Sequence, residues 1–194
     1  MTQEVIVVTS IAHGGAGVGR PKAGEGESSG PTWFVTGALP GEEVTAEVEH
    51  RAKRFVRGRL TEIQTAASAR VEPPCPLAQT CGGCAWQHVA VAEQAGLKRR
   101  IVADQLRGVV PDTMVTVFDR EIAGDAGALG YRRRARVHYE RDDDGTVRLG
   151  FFAQGSRALV DVPSCPVLAA PLNRALSQLR EHPGLLRTEG EVHL

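Results

Sequence analysis

Four cysteines carry the most specific chemistry in this chain of 194 residues. Three of them fall within ten residues, in Cys75-Pro-Leu-Ala-Gln-Thr-Cys81-Gly-Gly-Cys84, and the fourth, Cys165, lies eighty-one positions further on. Thiolates are soft ligands that suit zinc, copper(I) and iron–sulfur clusters. Structural zinc sites usually draw on two short cysteine pairs, and only one is present here. Three clustered ligands with a remote fourth suit a cubane, and proline after a ligand cysteine also occurs in ferredoxin runs. It follows both Cys75 and Cys165. Gly82 and Gly83 leave room for backbone N–H groups to approach sulfur. Iron–sulfur ligation by Cys75, Cys81, Cys84 and Cys165 is thus the leading reading, with zinc, then disulfides or free thiols, as the alternatives. No secretory pattern opens the chain, so a reducing cytoplasm is expected and disulfides are not. For the four thiols to share one site, residues 85–164 must fold back on themselves.

The formal net charge is zero, with 23 basic and 23 acidic residues, and 42% of the residues are hydrophobic. That supplies a globular core, and no apolar run reaches the length of a membrane span. The charges are unevenly spread. Arg51, Lys53, Arg54, Arg57 and Arg59 form a run without an acid, Lys98-Arg-Arg a second, and Arg132-Arg-Arg-Ala-Arg136 a third. Separated faces let a neutral protein present a basic groove to phosphates. Arg132, Arg134, Arg136, Lys53, Arg54, Arg57 and Lys98 are the candidate RNA contacts. The plainer alternative for each cluster is a solvated surface.

The elements that must position these residues read as follows. Residues 3–12 are rich in β-branched side chains and predict a strand. The glycine run from His13 to Arg20 lacks the lysine and the following helix of a phosphate loop, and reads as a turn. Gly24 to Gly30 reads as a loop tip. Thr32 to Leu39, Glu43 to Glu49 and Phe55 to Ile63 read as strands, the last two by clean alternation. Short strands with glycine turns suggest a barrel of OB type, a fold that binds nucleic acid on a strand face. Gln87 to Leu106 predicts a helix, with Val91, Ala95, Val102 and Leu106 as its apolar stripe. Thr113 to Phe118 reads as a strand and Gly124 to Gly130 as a loop. Tyr131 to Arg141 reads as a strand placing Arg132, Arg134 and Arg136 in a cationic row roughly 13 Å long. A turn at Asp142–Gly145, strands over Val147–Ala153 and from Leu159, a helix over Ala169–Leu179 and a strand at Glu189–Leu194 complete the reading.

In this order the motifs Gly14-Gly-Ala-Gly-Val-Gly-Arg20, Leu39-Pro-Gly-Glu42, the cysteine loop continuing to His88, Gln94-x3-Lys98, Gly130-Tyr-Arg-Arg-Arg-Ala-Arg136, Leu149-Gly-Phe-Phe152 and Val160-Asp-Val-Pro-Ser-Cys165-Pro resemble the RNA (uracil-5-)-methyltransferases of the 23S ribosomal RNA type. The resemblance covers residues 4–194. It implies a mainly β fold: a TRAM domain, an OB-like RNA-binding barrel, over residues 1–65, then an α+β central domain over 66–194 that holds a [4Fe-4S] cluster on the four cysteines. It also implies a carboxy-terminal Rossmann-like domain that binds S-adenosylmethionine and attacks uracil with a cysteine. No residues match that domain, and no thiol is left over as the nucleophile. The chain is therefore expected to be the RNA-recognition half of an enzyme that makes 5-methyluridine in 23S rRNA or tRNA, without catalytic residues of its own, cytoplasmic and monomeric. The alternative is a stand-alone iron–sulfur or zinc RNA-binding module. A radical methylthiotransferase relative, which also carries a TRAM domain, is a third and weaker alternative, since its motif is C-x3-C-x2-C and the spacing here is C-x5-C-x2-C. Trp86, Phe152 and Phe34 are candidate stacking partners for bases, and His88 is expected to pack or cap rather than ligate.

Overall fold

The computed structural model describes residues 2–22, 30–111 and 129–194. Most of the expected loop at Gly24–Gly30, the strand at Thr113–Phe118 and most of the loop at Gly124–Gly130 lie outside the described residues. The chain divides into two compact units. Residues up to Glu72, with the stretch from His88 that includes the first helix, form one. Pro73–Gln87, with the carboxy-terminal sheet and helix, forms the other.

The first unit is built on five strands: β1 (Gln3–Ile11), β2 (Gly17–Pro21), β3 (Thr32–Thr36), β4 (Glu43–Arg51) and β5 (Phe55–Thr65). They close into a barrel in the order β1-β2-β3-β5-β4. All pairings are antiparallel except β3 with β5. Alternation decides which side chains enter: Ile6, Val8, Trp33, Val35, Val44, Ala46 and Val56 are buried, while Val7 is 39% exposed. The glycine run differs from its sequence reading. Its second half is strand β2, not turn, since Gly17 to Gly19 pair with both β1 and β3, and Gly17 must be glycine because a Cβ there would come 2.7 Å from the Ala38 carbonyl oxygen. The glycines serve close strand passage rather than a phosphate. Gly58 does the same for the core: a Cβ there would sit 2.7 Å from the Trp33 ring.

Glu42, at 1% exposure, is buried beside the barrel strands. The guanidinium of Arg70 holds its carboxylate through two donors, one at 2.8 Å. The same guanidinium donates to the Gly37 carbonyl at 2.6 Å. The Leu39 and Ala67 N–H groups donate to the carboxylate at 2.8 and 3.3 Å. Burial pushes the Glu42 carboxyl up, but the bonds from Arg70, Leu39 and Ala67 outweigh it and hold the group below its ordinary value. Helix α1 (Val91–Leu106) belongs to the same unit. Its expected apolar stripe lies on one face, yet Val91 and Val102 remain 52% and 41% exposed and no residue of the helix is fully buried.

The second unit is an antiparallel sheet in the order β8-β7-β6-β9, formed by β6 (Arg136–Arg141), β7 (Val147–Phe152), β8 (Leu159–Asp161) and β9 (Glu189–His193). Helix α2 (Ala170–Glu181) contributes Leu176 to a core cluster that also holds Val137, Leu149, Val162 and Leu168. The strand read over Tyr131–Arg141 is shorter than expected and starts at Arg136. Upstream, the backbone of Arg132 is taken by another partner: its N–H donates to the Val167 carbonyl and its carbonyl accepts from Ala169 N–H, both at 2.9 Å. The three arginines therefore do not form one strand row. Arg134 and Arg136 flank buried Ala135 and are exposed, whereas Arg132 is half-buried. The fold is mainly β, with a closed five-stranded barrel and two α-helices among the described residues.

Replacing Gly58 by Ala should destabilise the protein by about 1–3 kcal/mol through overpacking against Trp33, read as a lower urea midpoint at unchanged slope. Arg70→Ala should cost about 3–5 kcal/mol near neutral pH by leaving a buried carboxylate unpaired. Because the folded Glu42 carboxyl lies below its ordinary 4.5, its contribution is present above that pH and is lost as pH falls through the folded value. The deficit of Arg70→Ala should accordingly narrow in urea melts below about pH 4.5.

Candidate functional site

The cysteine loop is a series of tight turns. Ala78 N–H donates to the Cys75 carbonyl at 3.1 Å, and Cys81 N–H to the Leu77 carbonyl at 2.8 Å. It is pinned to the end of β7, where Gly82 N–H donates to the Phe152 carbonyl at 2.9 Å and Gln154 N–H to the Thr80 carbonyl at 3.2 Å. Gln87 closes the loop by accepting the Cys75 N–H on its Oε1 at 3.1 Å. Cys165 arrives from the segment between β8 and α2. Asn173 on α2 fixes it from both sides: Oδ1 accepts the Cys165 N–H and Nδ2 donates to the Cys165 carbonyl, each at 2.9 Å. Nδ2 also reaches the Leu168 carbonyl at 3.2 Å.

The result is a recess lined by all four cysteines, with Gln87, Arg132, Phe151 and Val162 among its other walls. All four are free thiols. Burial pushes the Cys81 thiol up, and the neighbouring Cys84, Cys165 and Cys75 push it further, against a Gly83 N–H that donates to its sulfur at 3.4 Å. The Cys81 thiol therefore resists losing its proton unless positive charge enters the recess. Thiolate ligands and such a charge stabilise each other. Among the described residues no three Cys, His, Asp or Glu side chains are grouped as a single ion would need. Zinc at 2.3 Å from each sulfur would draw tetrahedral ligands to about 3.8 Å of one another.

The other sequence-derived positions are scattered. Lys53 and Arg54 are exposed in the β4–β5 turn, Arg57 is exposed on β5, and Lys98 is exposed on α1. Arg134 is exposed ahead of β6, and Arg136 lies 3.8 Å from Glu191. Arg132 lines the cysteine recess. His88 is half-buried; burial first, then the Arg70 charge, pull its pKa below the ordinary histidine value despite Glu42. It packs as a neutral ring, with no hydrogen-bond partner for Nε2 among the described residues. Phe152 stacks on His138 at 4.0 Å with the Arg157 guanidinium 5.9 Å away. Gln87 and Arg132 as recess residues, and Asn173 as the support of Cys165, were not legible in the sequence. An amide in mid-helix or beside a tryptophan gives no periodic signal.

This is a barrel of the TRAM type: residues 1–61 match the TRAM domain family. The chain is homologous, over nearly all its length, to 23S rRNA uracil-C5-methyltransferases. It is 39% identical to the 23S rRNA (uracil(1939)-C(5))-methyltransferase RlmD of Halomonas elongata, over 97% of this chain and 40% of that one. With the Shewanella amazonensis protein of the same description it shares 36% identity, over 88% of this chain and 36% of that one. The chain spans about two fifths of the length of these relatives. The fold resembles that of the Pyrococcus abyssi tRNA (uracil-54, C5)-methyltransferase crystallised with S-adenosyl-L-homocysteine, with a TM-score of 0.61 and 22% identity, over 94% of this chain and 37% of that one.

Asn173→Ala should destabilise the protein by about 1–3 kcal/mol, because it orphans the buried backbone groups at Cys165. Asn173→Asp should recover only part of the loss, since it keeps the acceptor and removes both donors. Chemical denaturation of the three proteins side by side checks the order.

Proposed function

We propose that this chain is the RNA-recognising portion of an S-adenosylmethionine-dependent 23S rRNA (uracil-5-)-methyltransferase, acting in the cytoplasm. The observation that carries the reading is the alignment with RlmD proteins over 97% of the chain. Ribosomal RNA is favoured over tRNA as the substrate class because that identity, 39%, is well above the 22% to the tRNA enzyme. We place a TRAM RNA-binding domain over residues 1–65 and a central domain over 66–194. The reading assigns no catalytic residue to this chain, since all four thiols line the recess. The methyl donor and the nucleophile that attacks uracil belong to the share of the relatives' length that this chain does not span.

Cys75, Cys81, Cys84 and Cys165 would hold a [4Fe-4S] cluster. Such a cluster supplies a cross-link between distant segments, and with four cysteine ligands it offers no open iron to substrate. The chain's own residues do the rest. Asn173 and Gln87 fix the ligand loops, and Arg132 lines the same recess. Arg134 and Arg136, with Lys53, Arg54, Arg57 and Lys98, are the proposed phosphate contacts. Phosphate contacts set position and salt dependence rather than sequence choice.

Anaerobic purification with iron, sulfide and zinc analysis tests the cluster. About four irons and four sulfides per chain are expected by the cubane's composition; one zinc without sulfide overturns it. Replacing Arg134 and Arg136 together by Gln should weaken binding to a 23S rRNA fragment and reduce the log–log salt slope by about 1.5. An unchanged slope returns both side chains to the solvated surface.

A further inference from the structure

The outer face of the barrel carries a feature that the cysteine recess does not use. Phe34 on β3 lies in register with Arg57 on β5, and Arg57 with His50 on β4. Phe55, two residues before Arg57, shares that face because strand side chains alternate. The rings of Phe34 and Phe55 meet edge to face, with centroids 5.8 Å apart at 87°. His50 tilts against Phe55 at 6.3 Å, and the Arg57 guanidinium lies 5.9 Å from the Phe55 centroid. Their neighbours Trp33 and Val56 point the other way and are fully buried. Phe34 and Phe55 are half-exposed and stand outside the core cluster of the barrel.

The charges around these rings are sorted. Arg59, two residues further along β5, is held by Glu47 at 2.7 Å and Glu49 at 3.8 Å. Arg51 is held by Glu4 at 2.9 Å. Among the described residues no acid pairs with Lys53, Arg54 or Arg57. Of the five cations between residues 51 and 59, the three without an acidic partner are those nearest the paired phenylalanines in the chain. Cations beside exposed flat rings match an anion that also offers flat faces. A duplex meets the cations but hides its base faces in the stack. An acidic peptide meets the cations and leaves the rings unused. An unpaired nucleotide strand uses both, phosphates on the cations and a base on the ring.

We propose that Phe34, His50, Phe55 and Arg57, with Lys53 and Arg54 in the adjoining turn, form a binding site for single-stranded RNA, in which an unpaired base stacks on the Phe34–Phe55 pair. This rests on the RNA-binding reading above and adds to it the form of RNA taken by the barrel and the residues that take it. The site spans three strands, about 10 Å across at 4.8 Å per strand.

The test uses the full chain and fluorescence anisotropy with three probes: an unstructured oligoribonucleotide of about eight nucleotides, within the range of one OB-type fold, an RNA duplex, and a glutamate-rich peptide. Phe55→Leu, which keeps an apolar side chain, should weaken single-strand binding about fivefold or more and leave duplex binding unchanged. The triple change Lys53→Gln, Arg54→Gln, Arg57→Gln should weaken both RNAs and flatten the salt dependence. Phe55→Trp should retain affinity and show tryptophan quenching by the single strand, a direct sign of stacking that a loss of fold would not give. Single-strand binding indifferent to Phe55→Leu, or equal losses on duplex and single strand, overturns the inference alone. Tighter binding of the peptide than of RNA, lost with Phe55→Leu, assigns the surface to a protein partner and also overturns it. A wild-type chain that binds none of the RNAs overturns both this inference and the RNA-binding reading.

Discussion

A carboxylate at 1% exposure survives as a charge only where donors surround it, and Glu42 dictates much of the first unit on that ground. Its partners come from the turn before it, from Ala67 and from Arg70. The end of β5 therefore leads not into a free linker but into a segment bound to the barrel it has left. Arg70 extends the grip by donating to the Gly37 carbonyl. The same segment then pairs with the residues around His88: Val71 N–H donates to the His88 carbonyl and Ala90 N–H to the Ala69 carbonyl. The ion pair and these backbone bonds together tie residues 66–72 and the start of α1 into the barrel's unit. It also sets the surroundings of His88, whose neutral ring lies in reach of both charges.

The period-two signal made most of the barrel readable. Val44 and Ala46, and Ile6 and Val8, point inward as their alternation requires. It failed where backbone pairing is set by distant chain. Nothing between Tyr131 and Ala135 shows that the backbone of Arg132 bonds Val167 and Ala169, so the apparent arginine row was read as one strand. Gly17 was read as turn because its reason for being glycine is the Ala38 carbonyl, twenty-one residues away. Likewise the Leu39-Pro-Gly-Glu42 motif marks a turn in the sequence, but the burial of its glutamate depends on Arg70, which no local pattern links to it.

The cysteines were legible as a set because thiols are rare, four in the chain. What the sequence lacked was the means of bringing them together. The loop 75–84 borrows the end of β7 for its hydrogen bonds, and Cys165 borrows an amide from α2. Both supports belong to the same sheet-and-helix unit as the thiols. The recess is thus shaped by ordinary polar pairing, and within it burial first, then the neighbouring thiols, raise the Cys81 pKa, so that a positive charge entering the recess would favour its thiolate.

A net charge of zero conceals how the cations divide. Arg51, Arg59, Arg70, Arg148 and Arg180 are engaged by carboxylates within the fold. They fix strands, turns and a helix, and their charge is largely spent on the protein itself. Lys53, Arg54 and Arg57 carry no such partner among the described residues, and they stand beside half-exposed rings. Exposed ion pairs contribute little to stability, so leaving three cations unpaired costs the fold little. It does leave local positive potential available to an external anion on a protein whose total charge shows none. The count of basic residues is therefore a poor guide to where positive potential is free in this chain, and the pairing of each one is the informative quantity.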